Sequence, residues 1–218
     1  VNPGSSSEGW SRHPNFLAKF PTGTIPSIED KESGFVLSES HAIMCYLCNK
    51  YNWTDLYPSN HEERAKVDSY LHLHHRNVRE ASIGLVAPKV RKDLNFSEDF
   101  LKISQANIEK AFKALENGWL AQSRFLTGDN LTIADMSAYV EIGQLQSKFT
   151  NVYDFEPLPN ITRWLEEMNQ VAYHDEVHAS LYELGDISSE APSMETIISA
   201  NKKGFVVIQE QLANMKDQ

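Results

Sequence analysis

Residues 16–46 constrain the fold more than any other stretch of the chain. Ile25 precedes Pro26 at the entry to a short extended run, and a charged turn with glycine, Lys31 to Gly34, follows it. A second run, Phe35-Val36-Leu37, then feeds Ser38-Glu39-Ser40 and an apolar-periodic helix. Proline at a strand start removes one ladder N–H, which an edge strand tolerates. The residue before proline is pushed to extended geometry, so Ile25 presents its backbone outward. An edge of this kind pairs with an extended peptide. Ser-Glu-Ser ahead of Ala42-Ile43 reads first as a helix cap, because serine oxygens satisfy orphan N–H groups. The same N–H groups with the Ser40 hydroxyl also make a carboxylate site.

The rest of the chain has room for a sizeable core. A length of 218 residues falls between one and two domains. The net charge of −10, with Lys and Arg scattered, argues against nucleic acid and anionic membranes as partners. No apolar run approaches membrane-spanning length. No charged-then-apolar leader is read, and two cysteines without one fit a reducing, cytoplasmic compartment. Cys45 and Cys48 form Cys-Tyr-Leu-Cys, a redox spacing. A redox pair needs its first thiol at a helix N-terminus. Here the helix opens near Ser40, so both thiols fall inside it and read as small core residues.

Residues 1–14 are rich in Ser, Gly and Pro and read as a loop or disordered lead. A short helix is expected between Ser11 and Lys19, capped by Ser11 or Asn15. Ser40 to Tyr51 reads as helix, with Ile43, Tyr46 and Leu47 on one face. Residues 52–60, with Pro58, read as a linker and domain boundary. From His61 to about residue 215 the pattern is all helical. Glu62 to Leu85 carries Val67, Leu71, His74 and Val78 on one stripe, which Pro88 bends or ends. Ser97 caps the next helix, striped by Phe100, Ile103, Ile108, Ala111, Phe112, Leu115 and Trp119. Thr132-Ile133-Ala134-Asp135 is a capping box. Pro157 to Asn160 stops the chain before a helix striped by Ile161, Trp164, Leu165 and Met168. A last amphipathic segment, 193–215, is interrupted by Gly204. His74 and His75 point in different directions on a helix, and His174 with His178 at i, i+4 has no third ligand of clear spacing, so no metal site is assigned.

Gly23-Thr24-Ile25-Pro26-Ser27-Ile28 followed by Leu37-Ser38-Glu39-Ser40-His41-Ala42-Ile43-Met44-Cys45-Tyr46-Leu47 resembles the second half of the glutathione-binding domain of glutathione transferases. The helices after it resemble the theta class, through His-Leu-His-His-Arg-Asn-Val-Arg at 72–79 and Gly84-Leu85-Val86. The resemblance runs from about Phe16 to Leu184. It implies a thioredoxin-like α+β domain, partial here, over 15–52. An all-α domain over 61–215 would follow it. The opening strand–helix–strand of that domain needs about 30 residues, so it is expected to be mostly missing, together with the serine that activates the thiol. Ser5, Ser6 and Ser7 lie too close to Pro26 to replace it. No catalytic residue is therefore assigned.

The resemblance further implies how glutathione lies. Its cysteinyl amide pairs with the Ile25 backbone beside a cis Pro26. Its γ-glutamyl carboxylate sits on Ser40, its ammonium near Glu39, and Arg79 lines the cleft from the helical domain. Glutathione is then a co-substrate, with no other cofactor, and the expected assembly is a homodimer. The implied activity is conjugation of glutathione to small hydrophobic electrophiles. Two positions depart from the pattern: Thr24 stands where theta members often carry Lys, and Arg76 where some carry an acidic residue. Phe16-Leu17-Ala18-Lys19-Phe20-Pro21-Thr22-Gly23 also looks like the transferase-like domain of the elongation factor 1 gamma subunit, a scaffold, which supplies the alternative of a non-catalytic interaction module.

Overall fold

Among the described residues, two short strands and fourteen helical segments sort into two units that divide between Arg64 and Ala65. The computed structural model describes residues 5–75, 77–91 and 93–216. Arg76, a position of interest in the sequence, lies outside the described residues.

In the first unit, Ser5 to His13 form hydrogen-bonded turns, with the Arg12 N–H donating to the Ser5 carbonyl at 3.0 Å. The helix expected from Ser11 to Lys19 is shorter. It is a single turn, α1 (Pro14–Leu17), and its cap is His13, whose ring nitrogen accepts from the Asn15 N–H at 3.3 Å. Proline at the first helical position explains the start, because its missing N–H would be unsatisfied there anyway. Strands β1 (Ser27–Glu29) and β2 (Val36–Ser38) pair antiparallel as Ser27↔Ser38, Ile28↔Leu37 and Glu29↔Val36. Helix α2 (Ser40–Tyr51) follows at once and ends on Asn52, whose left-handed φ of 60° lets its N–H reach the Cys48 carbonyl. The result is a small thioredoxin-like part of two antiparallel strands with a helix.

Helix α3 (His61–His74) opens the helical unit, burying Val67, Tyr70, Leu71 and His74. It does not continue to Leu85 as the stripe predicts. The chain turns at 77–79 and resumes as a π-helix, Ala81–Val86, before the short α4 (Ala87–Val90), in which Pro88 takes a first-turn position. Val78 is buried all the same, so the stripe marked core positions and not an unbroken helix.

Helix α5 (Glu98–Ala114) starts where expected, on Ser97, whose hydroxyl accepts from the Phe100 N–H at 3.2 Å. Phe100 and Ile103 are exposed, and the buried face is carried by Ser104, Ile108, Ala111 and Phe112. A second π-helix, Leu115–Trp119, and the three-residue α6 (Leu120–Gln122) complete this arm.

Helices α7 (Ile133–Ile142) and α8 (Pro159–Met168) are organised by two buried carboxylates. Asp135 is fully buried and accepts from the Thr132 N–H at 3.0 Å, the Leu126 N–H at 2.8 Å and the Trp164 Nε1 at 3.0 Å. The predicted capping box is therefore present and reaches further than its own helix. Glu116 accepts from the Asn160 and Ile161 N–H groups at 3.0 and 2.9 Å, capping α8 from the other side of the chain. Around them Phe112, Leu115, Leu120, Ile133, Ile142, Leu145, Phe149, Ile161 and Trp164 are essentially inaccessible to solvent.

Two short helices, α9 (His174–Val177) and α10 (Ala179–Leu184), lead to the long α11 (Met194–Lys216), which packs along α10. Gly204, which interrupts the amphipathic pattern, has a packing reason. A Cβ there would lie 2.9 Å from the Cβ of Ser180, so only glycine lets the two helices approach this closely.

Replacing Asp135 by Ala strands two buried backbone N–H groups and an indole N–H. Leaving buried partners unpaired costs about 1–3 kcal/mol each in general. The expected loss for Asp135→Ala is at least ~3 kcal/mol, read as a lower urea midpoint at unchanged m-value.

Candidate glutathione site

The register of the hairpin decides what meets at its open end. Because Ser27 faces Ser38, residues 25–26 enter and residues 39–40 leave the two-stranded ribbon at the same end. The Ser27 hydroxyl stiffens that end: it lies 2.8 Å from the Ser38 hydroxyl and donates to the Thr24 carbonyl at 2.8 Å. The Ile25–Pro26 peptide bond is cis. Ile25 is 45% exposed, and its N–H and carbonyl make no hydrogen bond among the described residues. The extended edge expected from the Ile-Pro pair is thus present and open.

The opening of α2 differs from a simple serine cap. Glu39 occupies the cap position with φ 78° and ψ 118°, and no side chain caps the helix. A non-glycine residue in so sparsely populated a region costs on the order of 1–3 kcal/mol, which the surrounding structure must hold in place. Ser38 is engaged with Ser27 instead, and Ser40 is the first helical residue, half-buried, its hydroxyl without a partner among the described residues. The Ser40 N–H and hydroxyl therefore stay available to an anion at the positive end of the helix dipole. Glu39 is exposed beside them.

The far end of the hairpin is pinned to the same helix. Asp30 accepts from Tyr46 Oη at 2.8 Å and from Lys50 Nζ at 2.5 Å, and its Oδ1 takes the Glu32 N–H at 3.0 Å. The Lys50 hydrogen bond first, and then that of Tyr46, hold the Asp30 carboxyl well below the usual carboxylate range. The same contacts push Lys50 and Tyr46 up. Cys45 and Cys48 lie inside α2 and are not disulfide-bonded, and burial pushes the Cys48 thiol up, the reverse of an activated thiolate.

In the helical unit, Arg79 stands after the break in α3 with its side chain 52% exposed, and its Nη1 donates to Glu141 Oε1 at 2.9 Å. Glu141, on α7, is buried and had no signal in the sequence: it lies 62 positions from Arg79, among the apolar residues of its helix. His174 and His178 stack on each other with centroids 4.5 Å apart. His174 bonds to Tyr139 and Asp175, and His178 to the His174 carbonyl at 2.6 Å. Their nitrogens serve the fold, and among the described residues there is no group of three ligating side chains.

Family models describe both parts of the chain: the N-terminal domain of glutathione S-transferases over residues 5–50 and their C-terminal domain over residues 77–171, together more than half its length. The chain belongs to the glutathione S-transferase family. Among named relatives, glutathione S-transferase T3 of Arabidopsis thaliana is 31% identical over 205 residues, covering 88% of this chain and 33% of the relative. Human glutathione S-transferase theta-1 is 27% identical over 183 residues, covering 80% of this chain and 75% of the relative. The chain thus spans a third of the plant relative and three quarters of the human one. The structure of human glutathione transferase theta-2, in complex with glutathione and an unknown ligand, shares the fold with a TM-score of 0.67. It is 23% identical and covers 90% of this chain and 84% of that one. The theta-class glutathione S-transferase resemblance and the transferase fold read from the sequence both stand. No helix among the described residues is long and apolar enough to cross a membrane.

The histidine stack carries a pH dependence. Burial pushes His178 below its ordinary value near 6.5, so the folded state resists the proton that the unfolded state accepts. The stabilisation is complete above about pH 6.5 and is lost as pH falls from there toward the depressed folded value. Urea midpoints measured downward from neutrality are expected to decline over that window, with a flatter decline in His178→Phe.

Proposed function

We propose that this chain is a theta-class glutathione transferase that conjugates the glutathione thiol to small hydrophobic electrophiles. One observation carries the reading: the unpaired backbone of Ile25 and the uncapped start of α2 emerge at the same end of one hairpin. Glutathione extended across that end adds its cysteinyl amide to the Ile25 backbone as a further strand, beside Pro26. Its γ-glutamyl carboxylate accepts from the Ser40 N–H and hydroxyl at the start of α2, and its ammonium pairs with Glu39. Arg79 is retained as a proposed substrate-binding residue by resemblance to the theta class alone. The glutathione-binding domain is taken as residues 15–52 and the helical domain as 61–215.

The chemistry is a nucleophilic substitution or addition. Binding that favours the thiolate lowers the thiol pKa from the ordinary value of about 8.5. The sulfur lone pair then forms a carbon–sulfur bond to the electrophile; in substitution the leaving group departs with its bonding electrons, and in addition the π electrons move onto the acceptor, which takes up the proton given up by the thiol. Glutathione is consumed as co-substrate, and no metal takes part in this scheme. A homodimer in the cytoplasm is the assembly and place this reading implies. The names of the relatives, all glutathione S-transferases, favour the enzyme over a scaffold of the elongation factor 1 gamma type.

Retention on immobilised glutathione tests the site. The chain is expected to be retained and eluted by free glutathione. Ser40→Ala removes a hydrogen bond to a carboxylate, worth about 1.5–3 kcal/mol, so affinity should fall about ten- to a hundredfold. Unchanged retention of Ser40→Ala would remove the γ-glutamyl assignment, and no retention of the parent chain would remove the function.

A further inference from the structure

Helix α11 carries two apolar faces, and its own domain uses one of them. On the inward face Ala200 is buried, Gly204 seats against Ser180 of α10 and Val207 is half-buried, while Ser199 donates to Glu183 of α10 at 3.0 Å. Roughly a third of a turn round the helix runs a second row, in which Met194, Ile198, Phe205, Leu212 and Met215 are all between 48% and 68% exposed. A helix that covers one side of its domain needs a single apolar stripe and places polar residues elsewhere. The second row is surplus to the fold, and contiguous apolar rows of this kind on a surface mark sites of interaction.

The spacing of the row says what it fits. Ile198, Phe205 and Leu212 recur every seven residues, and Met194, Asn201, Ile208 and Met215 fall between them at alternating intervals of three and four. That is the core pattern of a two-stranded coiled coil, with one polar member, Asn201. It runs from the first residue of α11 to its last turn, about 34 Å of helix. Five apolar side chains exposed to this degree present on the order of 100 Å² each, about 500 Å² per copy and about 1,000 Å² for a pair. That area is the lower bound of a specific interface before flanking residues are counted, and it sets the pairing in the weak range.

We propose that α11 is a self-association surface, pairing antiparallel along this row with α11 of a second copy of the chain. The two kinds of core position then meet across the seam: Phe205 opposite Ile208, Ile198 opposite Met215 and Leu212 opposite Asn201 of the second copy. The same register sets position 195 of one helix level with position 216 of the other, where the sequence has Glu and Lys, so residues of opposite charge share a level at both ends of the seam. The helix dipoles also lie with positive end beside negative end. A parallel pair would set like ends together and hold residues 195 and 216 at opposite ends of the seam. The pairing uses residues of the helical unit alone and needs no bound glutathione.

Sedimentation of the full chain over a dilution series from about 1 to 100 μM, the range for an interface of this area, tests the surface. The parent should associate, and Phe205→Glu should weaken that association at least tenfold with an unchanged urea midpoint, since Phe205 is exposed. Equal association of parent and variant would place the contact on another surface and overturn the proposal, as would a parent with no association at the highest concentration. Cross-linking reads the orientation and does not depend on the folding of Phe205→Glu. Under mild oxidation the double variant Ile198→Cys/Met215→Cys should give a reducible dimer, above any background that the parent shows through Cys45 and Cys48. Neither single variant should do so alone, because antiparallel copies of either residue lie about 25 Å apart along the seam, far outside disulfide range. A dimer from Ile198→Cys alone would show a parallel seam and overturn the antiparallel pairing. No dimer from the double variant would overturn it as well.

Discussion

The contact of Asp30 with Tyr46 and Lys50 is what makes the rest of the first unit possible. A two-stranded ribbon of three residues per strand is marginal in water by itself. Its turn is tied to the second half of α2 by a carboxylate that accepts a phenol and an ammonium at once. With the far end anchored there, the near end has little freedom. The two serine hydroxyls of the first register pair then set the path of residues 24–27. The helix opening at Ser40 and the open backbone at Ile25 follow from that geometry.

The helical unit solves a different problem by similar means. Its helices are interrupted twice by π-turns and connected by irregular segments, each a source of orphan backbone groups. Glu116 collects such groups from a segment 44 and 45 positions away and Asp135 from three and nine positions away, and each is buried only because its acceptor sites are filled. Glu141 belongs to the same class by burial but differs in one respect. One of its partners reaches solvent.

Much of this was legible in the chain itself, where the cause was local. Ile25-Pro26, the charged turn and Ser38-Glu39-Ser40 act within a few residues of one another, so their order disclosed the hairpin, its edge and the helix start. The Ser97 cap and the Thr132–Asp135 box were legible for the same reason. The true cap of α2 was not, because Ser38 finds a cross-strand partner that only the register reveals. The break after His74 was hidden by an apolar stripe that stays in phase across it, since Val78 is buried whether or not the backbone is helical. Glu116 and Glu141 carry no signal in the sequence. Their partners lie 44 and more positions away, beyond the reach of any spacing rule.

The crossing at Gly204 has a consequence for how the chain tolerates change. Ser180 occupies the volume that any larger residue at 204 would claim. One missing methyl group thereby acts as the gauge for the seating of twenty-three residues of α11. For packing within one chain, drift in sequence along that helix is free on the outward side, where Ile198, Phe205 and Leu212 already meet solvent, and is closed on the inward one at Gly204 and the buried Ala200.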